Sequence, residues 1–501
     1  MNGKPFCAAS IVIFGGTGDL AGRKLIPALC RLNDAGLLPH DFHVFVTGRT
    51  DMTTAAFLDS FVNREADHFK KDTRFASGFE RLRPRIRYLR ANPGLKNEAQ
   101  DFRRRLMAEE PMAAPARLFY LAVPPASMDS FIELVKAFSD ARTDHNCPER
   151  ILVEKPFGSN LATARELNAR LLEAFSENQI LRIDHYLGKE AVQNILYMRF
   201  ANLFFEPVWN HRFISNVQIS FSEEIGIGGR AGYFDQAGIL RDVVQNHLLQ
   251  VLCMVAMEPP LSHRPDDLHL EKNKVLKALR KYKPEEVAQE TIRAQYLHGM
   301  LKGELAKGYL EEEGVRASSK TETYAACRVF IDNWRWGGVP FYLRAGKRLD
   351  RNITEIVVNF KPVPHSIFPT LTGKIESNRL YIRIQPNEGI NLLLNTKPPG
   401  MSMQVSNVGL KFSYDSEFGE YRPDAYERLL LDSLQGDSAL FLSNSEIEES
   451  WKFIDPIIEG WQQFSQPMFT YPAGTHGPRE ACELLERHGH RWRPSEGQCC
   501  P

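Results

Sequence analysis

The sequence predicts a doubly wound parallel α/β domain followed by a larger α+β domain with a mainly antiparallel sheet. The chain has 501 residues, more than a single core usually supports. In its first third, short apolar runs alternate with helical patterns, as in a parallel sheet. Later, apolar and polar residues alternate with period two, as in strands with one wet face. No linker or repeat marks the boundary, so we place the domains at residues 1–181 and 182–501.

The composition is that of a soluble globular protein. Basic and acidic residues number 62 each, 43% of residues are apolar and 25% are charged, which argues against a nucleic-acid-binding or membrane-surface protein. Met1 to Phe14 resembles a first strand more than a signal peptide, and no run approaches the about 20 apolar residues of a membrane span. The eight cysteines are scattered apart from Cys499 and Cys500. We therefore expect a cytoplasmic, reduced protein.

A glycine turn follows the first predicted strand. The β-branched run Ser10 to Phe14 ends in Gly-Gly-Thr-Gly-Asp-Leu-Ala, and a helical apolar period then runs from Leu25 to Leu37. Strand, glycine turn and helix together form the context of a dinucleotide-binding fingerprint. We expect Gly15 to permit the tight turn, Gly18 to let the backbone approach a pyrophosphate and Ala21 to allow close packing. Ordinary turn glycines are the simpler alternative.

The end of the next strand, 43–49, bears on which dinucleotide would bind. A P-loop is excluded because Lys24 is followed by Leu25 and not by a hydroxyl residue. In a dinucleotide site, an acidic residue at the end of the second strand accepts from the ribose hydroxyls, whereas an arginine accommodates a 2′-phosphate. The position holds Arg49, with Thr50 beside it. NADP is therefore favoured over NAD, the alternative being a surface arginine.

Two further buried-type strands, 118–123 and 150–153, are separated by a helical pattern over 127–141. Ligands of doubly wound sheets lie outside the carboxyl ends of the strands. The second of these strands ends in Glu-Lys-Pro-Phe-Gly, 154–158. We therefore expect Lys155 at the cofactor crevice, with a salt-bridged loop lysine as the alternative.

The stretch 182–190 concentrates charged and polar groups in nine residues. If Tyr186 opens a helix, His185 and Lys189 lie one turn apart and converge on one anion near the helix N-terminus, where a phosphate would fit. Asp184, just before the helix, is placed to orient a partner such as a histidine. The alternative is an N-cap aspartate followed by a surface Lys-Glu pair.

The predicted helix over 238–257 carries the candidate histidine. At 3.6 residues per turn, His247 shares an arc with apolar residues, while Asp242 and Asn246 lie on another side. Such a histidine is usually a satisfied core residue, but an orienting carboxylate such as Asp184 would make it a proton acceptor near neutral pH. The other elements predicted in this domain are strands around 217–221, 380–384 and 410–412 and a helix over 266–282.

Six motifs, in order and spread over nearly the whole chain, resemble those of the glucose-6-phosphate dehydrogenase family. They are residues 18–21, 154–158, 182–190, 241–247, 309–312 and 346–348. The resemblance implies a Rossmann domain followed by a large β+α domain whose sheet serves in dimerisation. The reaction implied is oxidation of glucose 6-phosphate to 6-phosphogluconolactone with reduction of NADP, the first step of the oxidative pentose phosphate pathway.

The resemblance also implies a role for each matching residue. His247 would be the general base and Asp184 its carboxylate partner. The sugar phosphate would be bound by His185, Tyr186 and Lys189, and the sugar ring and hydroxyls by Glu223, Asp242 and Lys347. Lys155 would bridge sugar and nicotinamide, and Lys24 would lie near the active site. The cofactor residues would be Gly15, Gly18, Asp19, Leu20, Lys24, Arg49 and Lys155.

Two departures from the family pattern qualify these assignments. Where a second basic residue is expected after Lys347 the chain has Asn352, preceded by Arg351, and either could face the sugar. The stretch 353–357 lacks the basic residues that help to hold a structural NADP in animal members, so we expect none here. We expect no metal, some use of NAD, and a homodimer or homotetramer.

Two rival functions remain at this point. An oxidoreductase of an unphosphorylated sugar could share the fold, but it would not need the phosphate-binding pair His185 and Lys189. A non-catalytic NADP-binding sensor should have lost His247 or Asp184, and the chain has both.

Overall fold

A computed structural model describes residues 10–95, 97–110, 117–139, 149–368, 375–401, 404–419, 423–463 and 466–495. The chain forms two compact units, the first comprising 1–188, 260–269 and 422–448 and the second the remaining segments. The predicted boundary at Leu181 lies within a strand of the first unit, Ile180–Ile183. Cys499 and Cys500 lie outside the described residues. Of the helices described, none combines the length and apolar character that crossing a membrane requires.

The first unit contains the predicted parallel, doubly wound sheet. It has seven strands, six of them mutually parallel. Buried apolar residues dominate four central strands, Ser10–Phe14, His43–Gly48, Arg117–Leu121 and Arg150–Val153, which explains why short apolar runs predicted these four. The order across the sheet is Phe441–Leu442, Ile180–Ile183, Arg150–Val153, Arg117–Leu121, Ser10–Phe14, His43–Gly48 and Ile86–Arg90.

Three strands of this sheet were not predicted: Ile86–Arg90, Ile180–Ile183 and Phe441–Leu442. Phe441–Leu442 pairs antiparallel with Ile180–Ile183, at the edge of the sheet. The helices of this unit lie at Ile26–Asp34, Thr54–Arg64, Ala66–Lys71, Thr73–Leu82, Glu98–Glu109, Met128–Ser139, Leu161–Leu172 and Ala425–Gln435. The helix predicted over 25–37 is observed at Ile26–Asp34. A wider helical turn, Ala21–Leu25, precedes it.

The second unit contains a nine-stranded, mainly antiparallel sheet, as predicted. Two neighbouring pairs are parallel, Ile214–Ser222 with Phe341–Gly346 and Thr291–Leu297 with Phe469–Pro472. A separate hairpin joins Gly299–Leu301 and Glu304–Ala306. The order across the sheet is Ser406–Ser413, Gly389–Thr396, Arg379–Gln385, Ile353–Phe360, Ile214–Ser222, Phe341–Gly346, Tyr324–Val329, Thr291–Leu297 and Phe469–Pro472.

The prediction of one wet face is wrong for the central strand Ile214–Ser222. Its polar residue Gln218 is only 1% exposed. The Gln218 amide donates to the carbonyl of Arg491 at 2.8 Å and accepts from the amide of Arg493 at 2.9 Å. The C-terminal segment therefore covers the face that period-two alternation assigned to water. In the edge strand an apolar residue is exposed instead: Leu410 is 60% exposed.

One predicted helix of the second unit is shorter than expected. The predicted helix over 266–282 ends at Lys277 because Leu279 bridges to Ile331 and the amide of Arg280 donates to the carbonyl of Phe330. Two of the five points at which the chain passes from one unit to the other lie within helices, Pro265–Lys277 and Asn444–Gln463. The other helices are Glu190–Phe200, Ala231–Ile239, Leu240–Leu248, Leu249–Ala256, Pro284–Glu290, Tyr414–Phe418 and Arg479–Glu486.

Candidate functional site

The first unit presents a glycine turn at the carboxyl end of Ser10–Phe14. Gly15 has φ +76°, and a Cβ built there would lie 2.3 Å from the carbonyl oxygen of Ala122. The amide of Gly18 donates to the carbonyl of Gly15 at 2.9 Å, which closes the turn, and residues 17–19 are exposed. A side chain at Gly15 would collide with the neighbouring backbone, so the turn requires glycine there. Its exposed rim fits the approach of a dinucleotide pyrophosphate.

The residues just after the turn start a helix. Ala21 is fully buried, as the close-packing position requires, and Leu20 is half-buried. Asp19 forms an exposed ion pair with Arg23 at 3.4 Å. Asp19 and Leu20 are therefore accessible at the rim of the turn.

Arg49 directly follows the strand His43–Gly48 and is exposed. A Cβ on Gly48 would lie 3.0 Å from Cγ2 of Thr17, so the strand end abuts the glycine turn. Within the described part of the chain, the Arg49 guanidinium has no hydrogen-bond or ion-pair partner. An available guanidinium beside the turn suits an anionic ligand.

The strand Arg150–Val153 leads into a carboxylate held by two phenols. Oε1 of Glu154 accepts from the hydroxyls of Tyr120 at 2.6 Å and Tyr426 at 3.2 Å. Burial raises the pKa of the Glu154 carboxyl, although these two hydrogen bonds act to lower it. Lys155 follows and is half-buried, joined to Pro156 by a cis peptide bond. The two hydrogen bonds to Glu154 therefore hold the residue that precedes Lys155, at the carboxyl end of the strand.

Lys24 contacts a residue from late in the chain. Its Nζ lies 2.7 Å from Oδ2 of Asp424. The other carboxylate oxygen of Asp424 accepts from the amide of Tyr426 at 2.9 Å and caps the helix Ala425–Gln435. Burial acts to raise the pKa of Asp424, but Lys24 and the backbone amide hold it below its ordinary value. The motif Asp-x-x-Glu at 424–427 could have predicted a capped helix, but not its place beside Lys24.

The stretch 182–190 does not form the helix start that we predicted. The helix begins at Glu190, with Lys189 as its N-cap in an extended conformation, so Tyr186 does not open it. Instead, Oδ1 of Asp184 accepts from the amide of Tyr186 at 2.9 Å and the Asp184 carbonyl accepts from Leu187 at 3.1 Å. An aspartate that bonds the second amide ahead of it favours a turn over a helix.

This turn packs against the start of the helix Ala425–Gln435. The His185 ring is stacked on Tyr426, with ring centres 6.3 Å apart and planes 12° apart. A Cβ on Gly188 would lie 2.8 Å from the carbonyl of Ala425. Asp184 is 1% exposed and Tyr186 3%. Tyr426, which the sequence did not single out, thus contacts both His185 and Glu154.

In the second unit, Glu223 and Lys347 form an ion pair of 2.5 Å. Glu223 follows Ile214–Ser222 and Lys347 follows Phe341–Gly346. These strands are parallel neighbours in which Ser222 is aligned with Gly346. Parallel strands end at the same edge of a sheet, so the two side chains meet there. Lys347 is 5% exposed, and the ion pair offers both a donor and an acceptor to a polyol.

Lys189 lies beside a further polar residue that the sequence did not indicate. Its Nζ donates to Oε1 of Gln385, the last residue of Arg379–Gln385. A polar residue at a strand end carries no sequence signal of function, so only the tertiary structure identifies it. Lys189 and Gln385 together offer an ammonium and an amide to an anion.

Asp242 and His247 lie on a helical segment that is wider than an α-helix, Leu240–Leu248. The arc drawn at 3.6 residues per turn is therefore wrong for this segment. Asp242 is 4% exposed and His247 2%, so both sides of the segment are buried. The hydroxyl of Tyr233 lies 3.4 Å from Oδ1 of Asp242. The wide turn still places a carboxylate and an imidazole five positions apart in the interior of the unit.

Both residues in doubt after Lys347 contact acidic neighbours. The Asn352 amide donates to Glu224 at 2.8 Å and accepts from the Glu224 backbone at 2.8 Å. Nε of Arg351 donates to Asp350 at 2.6 Å. Neither arrangement singles out one of them as a sugar contact.

Comparison with known proteins agrees with the fold and the motifs. The family models "Glucose-6-phosphate dehydrogenase, NAD binding domain" and "Glucose-6-phosphate dehydrogenase, C-terminal domain" match residues 12–194 and 196–493. Glucose-6-phosphate 1-dehydrogenase 2 of Mycobacterium tuberculosis is 44% identical over 489 residues, covering 96% of this chain and 94% of that protein. Glucose-6-phosphate 1-dehydrogenase of Treponema pallidum is 42% identical, with coverage of 96% and 94%.

Solved structures are similar over the full length. A glucose-6-phosphate dehydrogenase in complex with glucose 6-phosphate has a TM-score of 0.86 at 35% identity, covering 99% of this chain and 100% of that one. The Mycobacterium avium glucose-6-phosphate 1-dehydrogenase has a TM-score of 0.82 at 36% identity, with the same coverage. The chain therefore belongs to the glucose-6-phosphate dehydrogenase family, with an NAD(P)-binding Rossmann-like sheet in its first unit and a large, mostly antiparallel sheet in its second.

Proposed function

We propose that this protein is a glucose-6-phosphate 1-dehydrogenase, which oxidises D-glucose 6-phosphate to 6-phospho-D-glucono-1,5-lactone and reduces NADP. The observation that carries this proposal is the similarity over 96% of the chain to proteins of that name. In the cell the reaction would open the oxidative pentose phosphate pathway in the cytoplasm. The test is NADPH formation by the purified protein with glucose 6-phosphate and, separately, with glucose. Equal rates on the two sugars would contradict it.

For proton removal we propose His247 as the general base and Asp184 as its orienting carboxylate. Hydride can leave C1 only as the C1 hydroxyl loses its proton, so a base must be in place at that moment. His247 is 2% exposed, which limits the orientations of its ring. One oxygen of Asp184 is committed to the amide of Tyr186, which fixes the direction of the carboxylate. Such a carboxylate selects one imidazole tautomer and leaves the other nitrogen to accept the proton.

For substrate binding we propose that His185, Tyr186 and Lys189 hold the sugar phosphate, with Gln385 as an additional contact through Lys189. The phosphate is remote from C1, so this binding energy orients the reacting carbon. The Glu223–Lys347 pair and Asp242 would hold the sugar ring and hydroxyls, since buried charged groups recognise hydroxyls strongly when no water competes. Lys155 would bridge sugar and nicotinamide.

For the cofactor we propose NADP, with NAD used less well. When bound, NADP supplies the hydride acceptor. The glycine turn with Gly15 and Gly18, together with its rim residues Asp19 and Leu20, would cradle the pyrophosphate. Arg49 would contact the 2′-phosphate, because its guanidinium is exposed and beside the turn. Lys24 and Lys155 would complete the site.

We expect no structural NADP, and the reaction requires no metal. Glu355 is 1% exposed in the strand Ile353–Phe360, and Oγ of Ser495 donates to it at 2.5 Å. A carboxylate held within the stretch 353–357 disfavours a bound phosphate there.

For assembly we propose a homodimer or homotetramer formed through the exposed end of the large sheet. The strand Ser406–Ser413 leaves Val408 47% and Leu410 60% exposed. Apolar side chains on a sheet surface mark an interaction face. Sedimentation or light scattering of the purified protein tests this, and a monomer at micromolar concentration would contradict it.

A further inference from the structure

The second unit contains a pocket of about 640 Å³ that the proposed reaction does not use. Three parts of the chain contribute lining residues: 236–241, the stretch 316–322 with Arg293, and residues 458–462 with 466–468. Four of its lining side chains are basic and one is acidic. They are Arg241, Arg293, Arg316, Lys320 and Glu322.

The inner wall carries buried polar atoms that are incompletely paired within the described residues. The Arg293 guanidinium donates to the carbonyl of Gln466 at 2.5 Å, and its buried Nε has no hydrogen-bond acceptor there. Gln466 is 4% exposed; its amide nitrogen donates to Thr291 at 2.8 Å, and its Oε1 has no partner among those residues. Buried polar groups usually have partners, so this wall suits a polar ligand.

The outer wall is basic and accessible. Arg316 is 75% exposed although it pairs with Asp235 at 2.9 Å. Lys320 is exposed and has no ion-pair or hydrogen-bond partner in the described part of the chain. Glu322 is 7% exposed and accepts from the amide of Leu240 at 3.2 Å. The accessible charge of the pocket is therefore positive.

The rest of the lining mixes polar side chains, Gln236, Thr321 and Gln462, with an apolar group. The apolar group includes Ile458, Trp461, Pro467 and Met468. The Arg293 guanidinium lies 5.6 Å from the centre of the Trp461 ring. A ligand that contacts both the basic side chains and these apolar side chains must carry an anionic group and an uncharged organic group.

We propose that this pocket binds an organic polyphosphate, such as a nucleoside triphosphate. Guanidinium groups match phosphate oxygens bidentately, and the ammonium of Lys320 adds a further cation at the mouth. The volume lies in the range of pockets that enclose small organic ligands. Inorganic phosphate alone would not contact the apolar side chains of the lining.

The pocket adjoins the segment that carries the proposed base. Arg241 lines the pocket and Asp242 follows it in the chain. A Cβ on Gly238 would lie 2.2 Å from Oε1 of Glu322, which shows how tightly the wall packs on this segment. A bound polyphosphate that engages Arg241 would therefore bias the segment Leu240–Leu248 and change KM for the sugar. This regulatory effect rests on the proposed function, whereas binding itself does not.

The test is calorimetric titration of the full-length protein with ATP, without magnesium and with saturating NADP to occupy the dinucleotide site. We expect binding that Lys320→Gln weakens about 3- to 5-fold, as for loss of one exposed charge contact. Lys307→Gln removes the same charge from an exposed lysine outside the pocket and should leave the affinity unchanged. Arg293→Gln should weaken binding about tenfold or more, with thermal unfolding as the check on its fold.

No binding of ATP either with or without NADP, or equal affinities of the parent and Lys320→Gln, would overturn the proposal. Tripolyphosphate that binds as tightly as ATP would overturn the organic part of it. Because calorimetry does not depend on turnover, an inactive dehydrogenase would leave this result interpretable.

Discussion

The two sheets differ in where they keep their polar groups. In the first unit the strands Ser10–Phe14 and Arg150–Val153 are buried throughout, and the candidate functional groups follow the strand ends, as the exposed Arg49 does. In the second unit the candidate groups Asp242 and His247 are themselves buried, 4% and 2% exposed, as Asp184 and Tyr186 are in the first unit. Interactions of buried charged groups are screened less by water than those at the surface. Substitutions of these buried groups should therefore cost more activity than substitutions of exposed groups such as Arg49.

The largest effect is expected from the buried base. His247→Asn should lower kcat by a factor of about 10² to 10⁴, the usual contribution of a positioned proton acceptor, with little change in KM for NADP. Steady-state kinetics at saturating substrates measures it. Asp184→Asn should lower kcat less, because the base itself remains. Near-normal kcat in His247→Asn would remove the histidine from the mechanism and weaken the contrast between buried and exposed groups.

A smaller effect is expected at the proposed phosphate site. Lys189→Ala should raise KM for glucose 6-phosphate by about 10- to 100-fold, because that factor corresponds to the free energy lost with a hydrogen bond to a charged group. The use of unphosphorylated glucose should change little, because glucose carries no dianion. Measuring kcat/KM for both sugars gives the comparison within one variant. A loss of the same size on both would place Lys189 away from the phosphate.

The exposed cofactor contact should matter less. Arg49→Ala should raise KM for NADP by about one to two powers of ten and leave NAD kinetics nearly unchanged, since only NADP carries the 2′-phosphate. Cofactor titrations at saturating glucose 6-phosphate measure this. If both cofactors weaken equally, Arg49 supports the fold or the adenine and does not discriminate.

The smallest effect concerns stability and pH in the first unit. Asp424→Ala removes both the helix cap and the contact with Lys24 and should cost about 1 kcal/mol of unfolding free energy at pH 7. Asp424→Asn keeps a capping side chain and should cost less. The folded pKa of Asp424 is lowered from 3.8, so its charge contributes fully above that value and is lost as pH falls through the folded pKa.

Denaturant unfolding of the parent and the two variants at several pH values tests this. The difference between the parent and Asp424→Asn should stay constant from pH 7 to about pH 5 and shrink below 3.8. A difference that vanishes by pH 5 would mean that Lys24 does not hold the carboxylate ionised.

The sequence predicted four of the seven strands of the first sheet, because those four are short, continuous apolar runs. The strands at 10–14 and 150–153 have the predicted bounds. Phe441–Leu442 was missed because two residues carry no periodicity and their partner strand lies far away in the chain. The turn after Asp184 was missed because an aspartate before a helical pattern predicts an N-cap equally well.

The candidate site depended more on family resemblance than on spacing. Glu223 and Lys347 lie far apart in the chain, and only the parallel pairing of the strands before them brings them together. The wide helix at Leu240–Leu248 was not predictable, because eight of its nine residues are buried and leave no exposed face to reveal the pitch. Gln385 and Tyr426 became candidates only through tertiary contacts.

The strand Phe441–Leu442 constrains how the protein can be synthesised. Near it, the amide of Asn444 bonds to Glu177, 267 residues earlier in the chain. At about 5 to 20 residues per second, a ribosome needs roughly 10 to 50 s to deliver the residues that complete the edge beside Ile180–Ile183. During that interval the nascent first sheet presents an open parallel edge, the kind of surface that pairs with other chains. Folding on the ribosome would therefore benefit from a chaperone, and premature termination before residue 441 would yield an aggregation-prone fragment with an unfinished cofactor domain.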